Sequence, residues 1–295
     1  MKRILSLSAT LKNRALIPAG LILWGMISTG QAAVLLTDNF EYANQAAFEA
    51  SWMAIGTAAP QSAELSTAQA AGGSFSIRFP GTTVSNQSRN QRTFAETGAL
   101  TIGDTLVWSF DFYDSAPASN PQRNHANLQD GSPSAANQLI AMGLNNNQTA
   151  ANSGGQFYMA RILGYTVTTV DPDGGPNESV ATAGGFFKLN DFGVGLRSLG
   201  WHNLKVEIST DDGLSTDFAF YVDNVLAERV SNVGTFDTIR SYDNIRIGSG
   251  LSNGSTEAFI DNMRLEIVPE PGATGLFGLG VAVLVARRRR GVSKR

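Results

Sequence analysis

Between Val34 and Val268 apolar residues recur at every second position, a period that buries one face of a strand but cannot bury one face of a helix. In residues 105–114, Leu106, Trp108, Phe110 and Phe112 share one side, with Ser109 and Asp111 on the other. Leu204, Val206 and Ile208 alternate with Lys205 and Glu207, Phe218, Phe220 and Val222 repeat the pattern, and Ile245 and Ile247 flank Arg246. Thr210-Asp211-Asp212-Gly213 predicts a turn between two of these strands. Further strands are expected over 74–79, 137–144, 156–163, 185–189 and 256–267, with one short helix over 45–52. Segments 115–136 and 168–184 are expected as long loops, either framing a site at a sheet edge or plain insertions. About a dozen short strands with so little helix predict an all-β, antiparallel two-sheet sandwich of jelly-roll type, folded as one domain.

Composition narrows the chemistry. Only 16% of residues are charged and 31 are glycine, which argues against helical bundles and coiled coils. With no cysteine there is no disulfide framework, thiol nucleophile or cysteine-ligated zinc. Two histidines, His125 and His202, exclude a histidine-rich metal centre. Ten of the 22 basic residues lie before Val34 or after Ala286, where there are no acids. The middle therefore holds 12 basic residues against 25 acidic ones, a net charge of −13 that repels a phosphate backbone and excludes nucleic acid as a partner.

The ends carry address information. Lys2, Arg3, Lys12 and Arg14 precede an apolar run from Ala15 to Thr29, and Gly30-Gln31-Ala32 supplies small residues for cleavage after Ala32. Residues 1–32 are thus expected to be a signal peptide with a helical apolar core, leaving a domain of residues 33–268. At the other end Pro269-Glu270-Pro271 should end the last strand, because prolines cannot continue a ladder. Residues 273–286 are almost wholly apolar and form a short transmembrane helix by expectation, followed by Arg287, Arg288, Arg289 and Arg290 on the cytoplasmic side. The order of Pro269-Glu270-Pro271, apolar segment and arginine cluster over residues 269–295 resembles the PEP-CTERM sorting signal of Gram-negative bacteria. That resemblance implies export, transient residence in the inner membrane and processing by an exosortase-type membrane protease. It further implies delivery to the cell envelope or extracellular matrix, often beside exopolysaccharide.

A second resemblance concerns the domain. Gly200-Trp201-His202-Asn203-Leu204-Lys205-Val206, followed by Phe218-Ala219-Phe220-Tyr221-Val222-Asp223-Asn224-Val225-Leu226, is similar to concanavalin A-like (laminin G-like) sandwiches, as is Ile260-Asp261-Asn262-Met263. Asn224 stands where that group usually has glycine, and asparagine tolerates the positive φ of the hairpin.

Catalytic constellations are sparse. Glycoside hydrolysis needs two carboxylates about 5–10 Å apart, but Asp111 and Asp114 fall on opposite faces of a strand and Glu207 has no acidic neighbour two residues away. No nucleophile-elbow, dinucleotide or phosphate-loop motif occurs. His125 is read as lying in a polar loop and His202 beside a core tryptophan, so no catalytic residue is assigned. Asp261 shares parity with Met263 and Leu265, so an unbulged strand would point it inward, where a carboxylate needs a cation or hydrogen-bond donors. Asp38, Glu41 and Asp261 together offer the oxygens of a structural Ca²⁺ site, resembling those of many carbohydrate-binding sandwiches. The alternative is that Asp261 accepts backbone N–H bonds or pairs with an arginine. Tyr158, Arg161 and Tyr165 lie on one strand and its exit and are the candidate ligand contacts.

Three functions remain open: a non-enzymatic exported protein binding polysaccharide, a structural or adhesive matrix protein, and a sandwich glycoside hydrolase or lyase. We expect the first, with exosortase and the export machinery as partners.

Overall fold

A computed structural model describes residues 31–55, 62–81, 89–116, 124–131, 139–145, 156–163, 169–170, 186–232, 241–248 and 257–270. Residues 1–30 of the expected signal segment, Tyr165, Pro271, the segment 273–286 and Arg287 to Arg290 lie outside these.

In chain order the strands are β1 Ala33–Asp38, β2 Met53–Ala54, β3 Glu64–Ser66, β4 Ser76–Phe79, β5 Arg89–Thr93 and β6 Asp104–Asp114, with helix α1 Gln45–Ser51 after β1. Next come β7 His125–Gln129, β8 Leu139–Gly143, β9 Met159–Leu163, β10 Thr169–Val170 and β11 Phe186–Lys188. Then follow β12 Gly200–Ser209, β13 Thr216–Val222, β14 Val225–Asn232, β15 Asn244–Gly248 and β16 Ala258–Pro269. Every pairing among them is antiparallel.

Two sheets form. The nine-stranded sheet runs β10-β14-β13-β12-β6-β16-β4-β3, with β1 added on β16, so the first and last strands pair. The seven-stranded sheet runs β11-β9-β8-β7-β15-β5-β2. Their inner faces share one core. Leu106, Trp108, Phe110 and Phe112 of β6 meet Ala126 and Leu128 of β7 and Ile245 and Ile247 of β15 in a single buried cluster. Phe187 and Phe220, from opposite sheets, have ring centroids 5.4 Å apart. Each such fully buried large side chain contributes about 1.5–3 kcal/mol.

Local chemistry sets the connections. Asn44 caps α1 by accepting from the Ala47 N–H at 3.0 Å, which satisfies one of the orphan donors of the first turn. Asp212 Oδ1 accepts from the Leu214 and Ser215 amides and the Ser215 hydroxyl, closing the expected turn between β12 and β13. These three donors hold the exposed Asp212 carboxyl down at about 2. The hairpin joining β13 to β14 places Asp223 and Asn224 at φ 51° and 65°, as the asparagine substitution requires.

Three expectations need correction. Segment 168–184 is not loop throughout, because Thr169–Val170 forms β10, paired with β14. Segment 115–136 is not one loop, because His125–Gln129 forms β7 in the middle of the seven-stranded sheet, between β8 and β15. The last strand does not stop before Pro269. That residue pairs with Asp104, and the Glu270 N–H donates to Gly103 O at 2.5 Å, so the first two residues of the Pro-Glu-Pro element are laid along β6.

Candidate functional site

The outward face of the seven-stranded sheet carries one in-register row across every strand: Phe186, Arg161, Ala141, Asn127, Arg246, Gln91 and Met53, from β11 to β2. The alternation that sends Ala126, Leu128, Ile245 and Ile247 into the core sends Asn127 and Arg246 outward. A neighbouring row contains Gly143, His125, Gly248 and Arg89. The small residue Gly248 lines a trough between the taller Arg89, His125, Asn127, Arg161 and Arg246. Gly143 has φ 143°, and a side chain there would strike the Asn124 carbonyl oxygen at 2.4 Å, so the pairing of β8 with the start of β7 requires glycine.

The resulting groove encloses about 240 Å³. Its lining includes Arg89, Arg161 and Arg246, three of the 12 basic residues in the middle of the chain, and among the described residues no Asp or Glu. Arg161 lies over the Phe186 ring, 5.3 Å from its centroid, and Arg246 Nε donates to Gln91 Oε1 at 2.7 Å. Burial and the neighbouring Arg89 charge hold the Arg246 guanidinium below its ordinary pKa, opposed by Asp243. Arg89 Nε and Asn127 Oδ1 are buried without a hydrogen-bond partner, a state that costs about 1–3 kcal/mol per group unless something else meets it.

The outward face of the other sheet differs in sign. Its groove, about 470 Å³, is lined by Glu207, Asp211, Asp217 and Glu270, with Arg229 the one cation among the described residues that line it. Glu207 already accepts from Lys205 and Tyr221, and Asp217 from Ser231.

Of the three expected ligand contacts Tyr165 lies outside the described residues, and Tyr158 and Arg161 do not share a face. Arg161 points into the cationic groove. Tyr158 points the other way and is 2% exposed, packed against Phe112 and His202 with its hydroxyl 3.5 Å from Asp114 Oδ2. Burial and the Asp114 charge push its phenol well above the ordinary range. It is an interior residue and not an exposed platform.

The three expected calcium ligands do not form one cluster either. Asp38 accepts from Phe40 N–H at 2.8 Å, Trp52 Nε1–H at 2.8 Å, the Tyr42 hydroxyl at 2.5 Å and the Arg92 guanidinium. Glu41 and Asp261 converge on a different feature, the loop 71–75. Glu41 Oε1 accepts from the Ser74 and Phe75 amides at 2.6 and 2.8 Å, and Asp261 Oδ2 accepts from Ala71 and Gly72 at 2.9 and 3.2 Å. Backbone N–H groups, not carbonyl oxygens, face these carboxylates, so the loop solvates them as a cation otherwise would. Among the described residues no group of three or more acidic or histidine side chains is arranged to hold a metal.

Asp261 is buried for a reason the strand period hides. The register shifts between Asp261 and Arg264, and Asn262 adopts φ 48°. The bulge puts Asp261 opposite Asp111 on the outward face, while Leu265 pairs with Trp108 on the inward one. The loop 71–75 then covers it completely. Burial pushes its carboxyl above the ordinary value despite three backbone donors, with the Asp111 charge adding to the effect. Asp261→Asn is expected to cost about 1–3 kcal/mol, because an amide NH₂ then meets a backbone N–H. Urea unfolding of the full chain checks this value.

Sequence reasoning also missed a polar junction. His202 Nδ1 lies 2.8 Å from Asp223 Oδ2, and its Nε2 lies 3.0 Å from both the hydroxyl and the carbonyl oxygen of Ser198. The order of atoms is that of a hydrolytic triad. Here the hydroxyl shares Nε2 with a carbonyl four residues away, and Asp223 Oδ1 also accepts the Asn203 N–H at 2.8 Å. The same contacts tie the start of β12 to the β13–β14 hairpin.

No curated protein sequence matches this chain. Among solved structures it is similar to a carbohydrate esterase of the Shiga toxin-encoding bacteriophage phi24B, with 14% identity, a TM-score of 0.51, and coverage of 80% of this chain and 99% of that one. It is also similar to an endo-1,3-beta-glucanase from Streptomyces sioyaensis, with 11% identity, a TM-score of 0.46, and coverage of 87% and 100%. The likeness to the esterase concerns the fold, which is the two-sheet sandwich expected of a concanavalin A-like domain. Residues 268–290 match the PEP-CTERM protein-sorting motif. The chain therefore carries a sorting motif that implies export, anchoring in the membrane at its C-terminus and processing by an exosortase.

Proposed function

We propose that this is a non-enzymatic exported protein of the cell envelope or extracellular matrix whose sandwich binds polysaccharide on the outward face of its seven-stranded sheet. The domain organisation is a signal peptide over 1–32, the sandwich over 33–268 and the sorting segment over 269–295, cut by the exosortase in a Gram-negative bacterium. The observation that carries the binding reading is the row of guanidinium and amide groups across the trough, with Phe186 beside Arg161. Sugar rings present hydroxyl edges and apolar faces, and a trough with polar walls and an aromatic flank complements both.

The test is affinity gel electrophoresis of the full chain, purified in detergent, through a panel of linear polysaccharides. Saturable retardation by at least one polymer is expected. Its absence across the panel favours a structural or adhesive matrix protein.

The Ser198, His202 and Asp223 arrangement supports a second reading, a hydrolase acting on ester-substituted glycans. Covalent labelling of Ser198 by a fluorophosphonate favours that reading. We expect no labelling, since Ser198 O competes for Nε2.

A further inference from the structure

Charge narrows the ligand class. The middle of the chain has a net charge of −13, so its overall field repels anions. Against that background Arg89, Arg161 and Arg246 line one groove with no carboxylate among its described lining residues. Like charges brought together and partly desolvated are unfavourable unless an opposite charge meets them. Arg89 Nε, buried with no partner, is a guanidinium edge awaiting an acceptor.

The spacing speaks to ligand size. Arg161 on β9 and Arg246 on β15 lie in one row with β8 and β7 between them. Three strand steps place their backbones about 14 Å apart. A ligand that reaches both guanidinium groups with negative charge carries more than one anion along its length. The guanidinium fork matches the paired oxygens of a carboxylate or a sulfate. Asn127, between the two arginines in the row, has a buried Oδ1 with no partner, an acceptor suited to a sugar hydroxyl.

We infer that the groove on the seven-stranded sheet binds a linear polyanionic polysaccharide, its repeating carboxylates or sulfates held by Arg161, Arg246 and Arg89. The inference rests on that groove being the binding face, as proposed above. Neutral glucans are poor ligands because they bring no charge to the buried, unpartnered Nε of Arg89. Binding by diffuse attraction is not expected, because the domain as a whole is acidic.

The test uses the full chain in detergent and affinity gels containing polygalacturonate, dextran sulfate or neutral dextran. Retardation by polygalacturonate or dextran sulfate, and not by dextran, is expected; the two anionic gels tell carboxylate from sulfate. Arg161→Gln and Arg246→Gln should each weaken the retardation about tenfold or more, the loss expected for a charge-assisted hydrogen bond. Arg161→Lys keeps the charge without the fork and should recover only part of it. Unfolding midpoints near that of the wild type show that the variants fold. Should one fail to fold, the comparison among the three gels still decides the ligand class. Dextran retarding the chain as strongly as the anionic gels, with both variants unaffected, overturns the charge assignment while leaving polysaccharide binding in place. Retardation by dextran sulfate that neither variant changes also overturns it, as attraction outside the groove. No retardation by any polymer defeats the inference together with the reading beneath it.

Discussion

Replacing Arg197 by methionine is expected to lower the unfolding free energy by about 3–5 kcal/mol, the cost of leaving a buried carboxylate without its partner. Arg197 Nε donates to Asp114 Oδ2 at 2.7 Å and its second nitrogen to Asp114 Oδ1 at 3.0 Å, with both side chains 1% exposed. Asp114 is the last residue of β6 and falls on the inward parity with Phe110 and Phe112. The Tyr158 hydroxyl, 3.5 Å from the same carboxylate, is too distant to replace the guanidinium. Two parallel hydrogen bonds in a site closed to water make the pair a structural tie between the end of β6 and the segment leading into β12. The double variant Asp114→Asn/Arg197→Met should regain part of the loss, because it leaves no unpaired charge. Urea unfolding followed by tryptophan fluorescence reads both quantities. A loss below about 1 kcal/mol for Arg197→Met, within the range of an exposed pair, contradicts this account.

Asp38→Ala is expected to cost about 3–5 kcal/mol. Four donors share that carboxylate, and truncation strands the indole N–H of fully buried Trp52, the Phe40 amide and the part-buried Arg92 guanidinium. Phe40 sits at φ 54°, a conformation that costs a bulky residue energy and that its hydrogen bond to Asp38 helps to hold. Asp38→Asn retains one acceptor and should cost less.

The same network gives an alkaline signature. Burial, reinforced by Asp38, pushes the Tyr42 phenol up to about 12. The unfolded chain releases that proton near pH 10, so stability falls as pH rises from there to about 12. Tyr221, part-buried and hydrogen-bonded to Glu207, adds to the same slope. Asp38→Ala should flatten the part due to Tyr42. Because N–H and O–H donors already occupy Asp38, Glu41 and Asp261, adding calcium is expected to leave the unfolding midpoint unchanged. A calcium-dependent rise abolished by Asp261→Asn would contradict that.

The sequence exposed the strands whose two faces differ in polarity. β6, β12 and β13 put Trp, Phe, Val, Leu and Ile inward and polar residues outward, and their period is plain. β5 (Arg-Asn-Gln-Arg-Thr) and β7 (His-Ala-Asn-Leu-Gln) were illegible for a physical reason that bears on function. Their inward positions include Asn90, which is fully buried and bonded to Trp52 O and Ala63 N, so even the core side of β5 is polar. Their outward positions include Arg89, His125, Asn127 and Gln129 of the groove, and Gln91 beside Arg246. A strand that carries a polar site looks like a loop to a period count.

Asp261 was legible as unusual but not as to its face. The bulge that turns it outward has one local sign, the adjacent polar pair Asp261-Asn262 inside an otherwise alternating strand. The Asp114–Arg197 pair, 83 positions apart, leaves no local trace in the sequence. The sorting motif was legible in full because it is a linear signal. Its docking along β6 was not, since Pro269 would ordinarily end a strand and here pairs at an end where no further donor is required.

The central claim is that polysaccharide binds the outward face of the seven-stranded sheet. The chain contains no cysteine, so a single introduced thiol reports one position without background. Leu163 lines the cationic groove, and Ser109 lies on the outward face of the opposite sheet. In the full-length Leu163→Cys and Ser109→Cys variants, the rate of alkylation is measured with and without a polysaccharide that the affinity gels show to bind. The account predicts slower alkylation at position 163 and an unchanged rate at position 109. Protection at 109, or saturable binding with no protection at 163, would place the ligand elsewhere and contradict it.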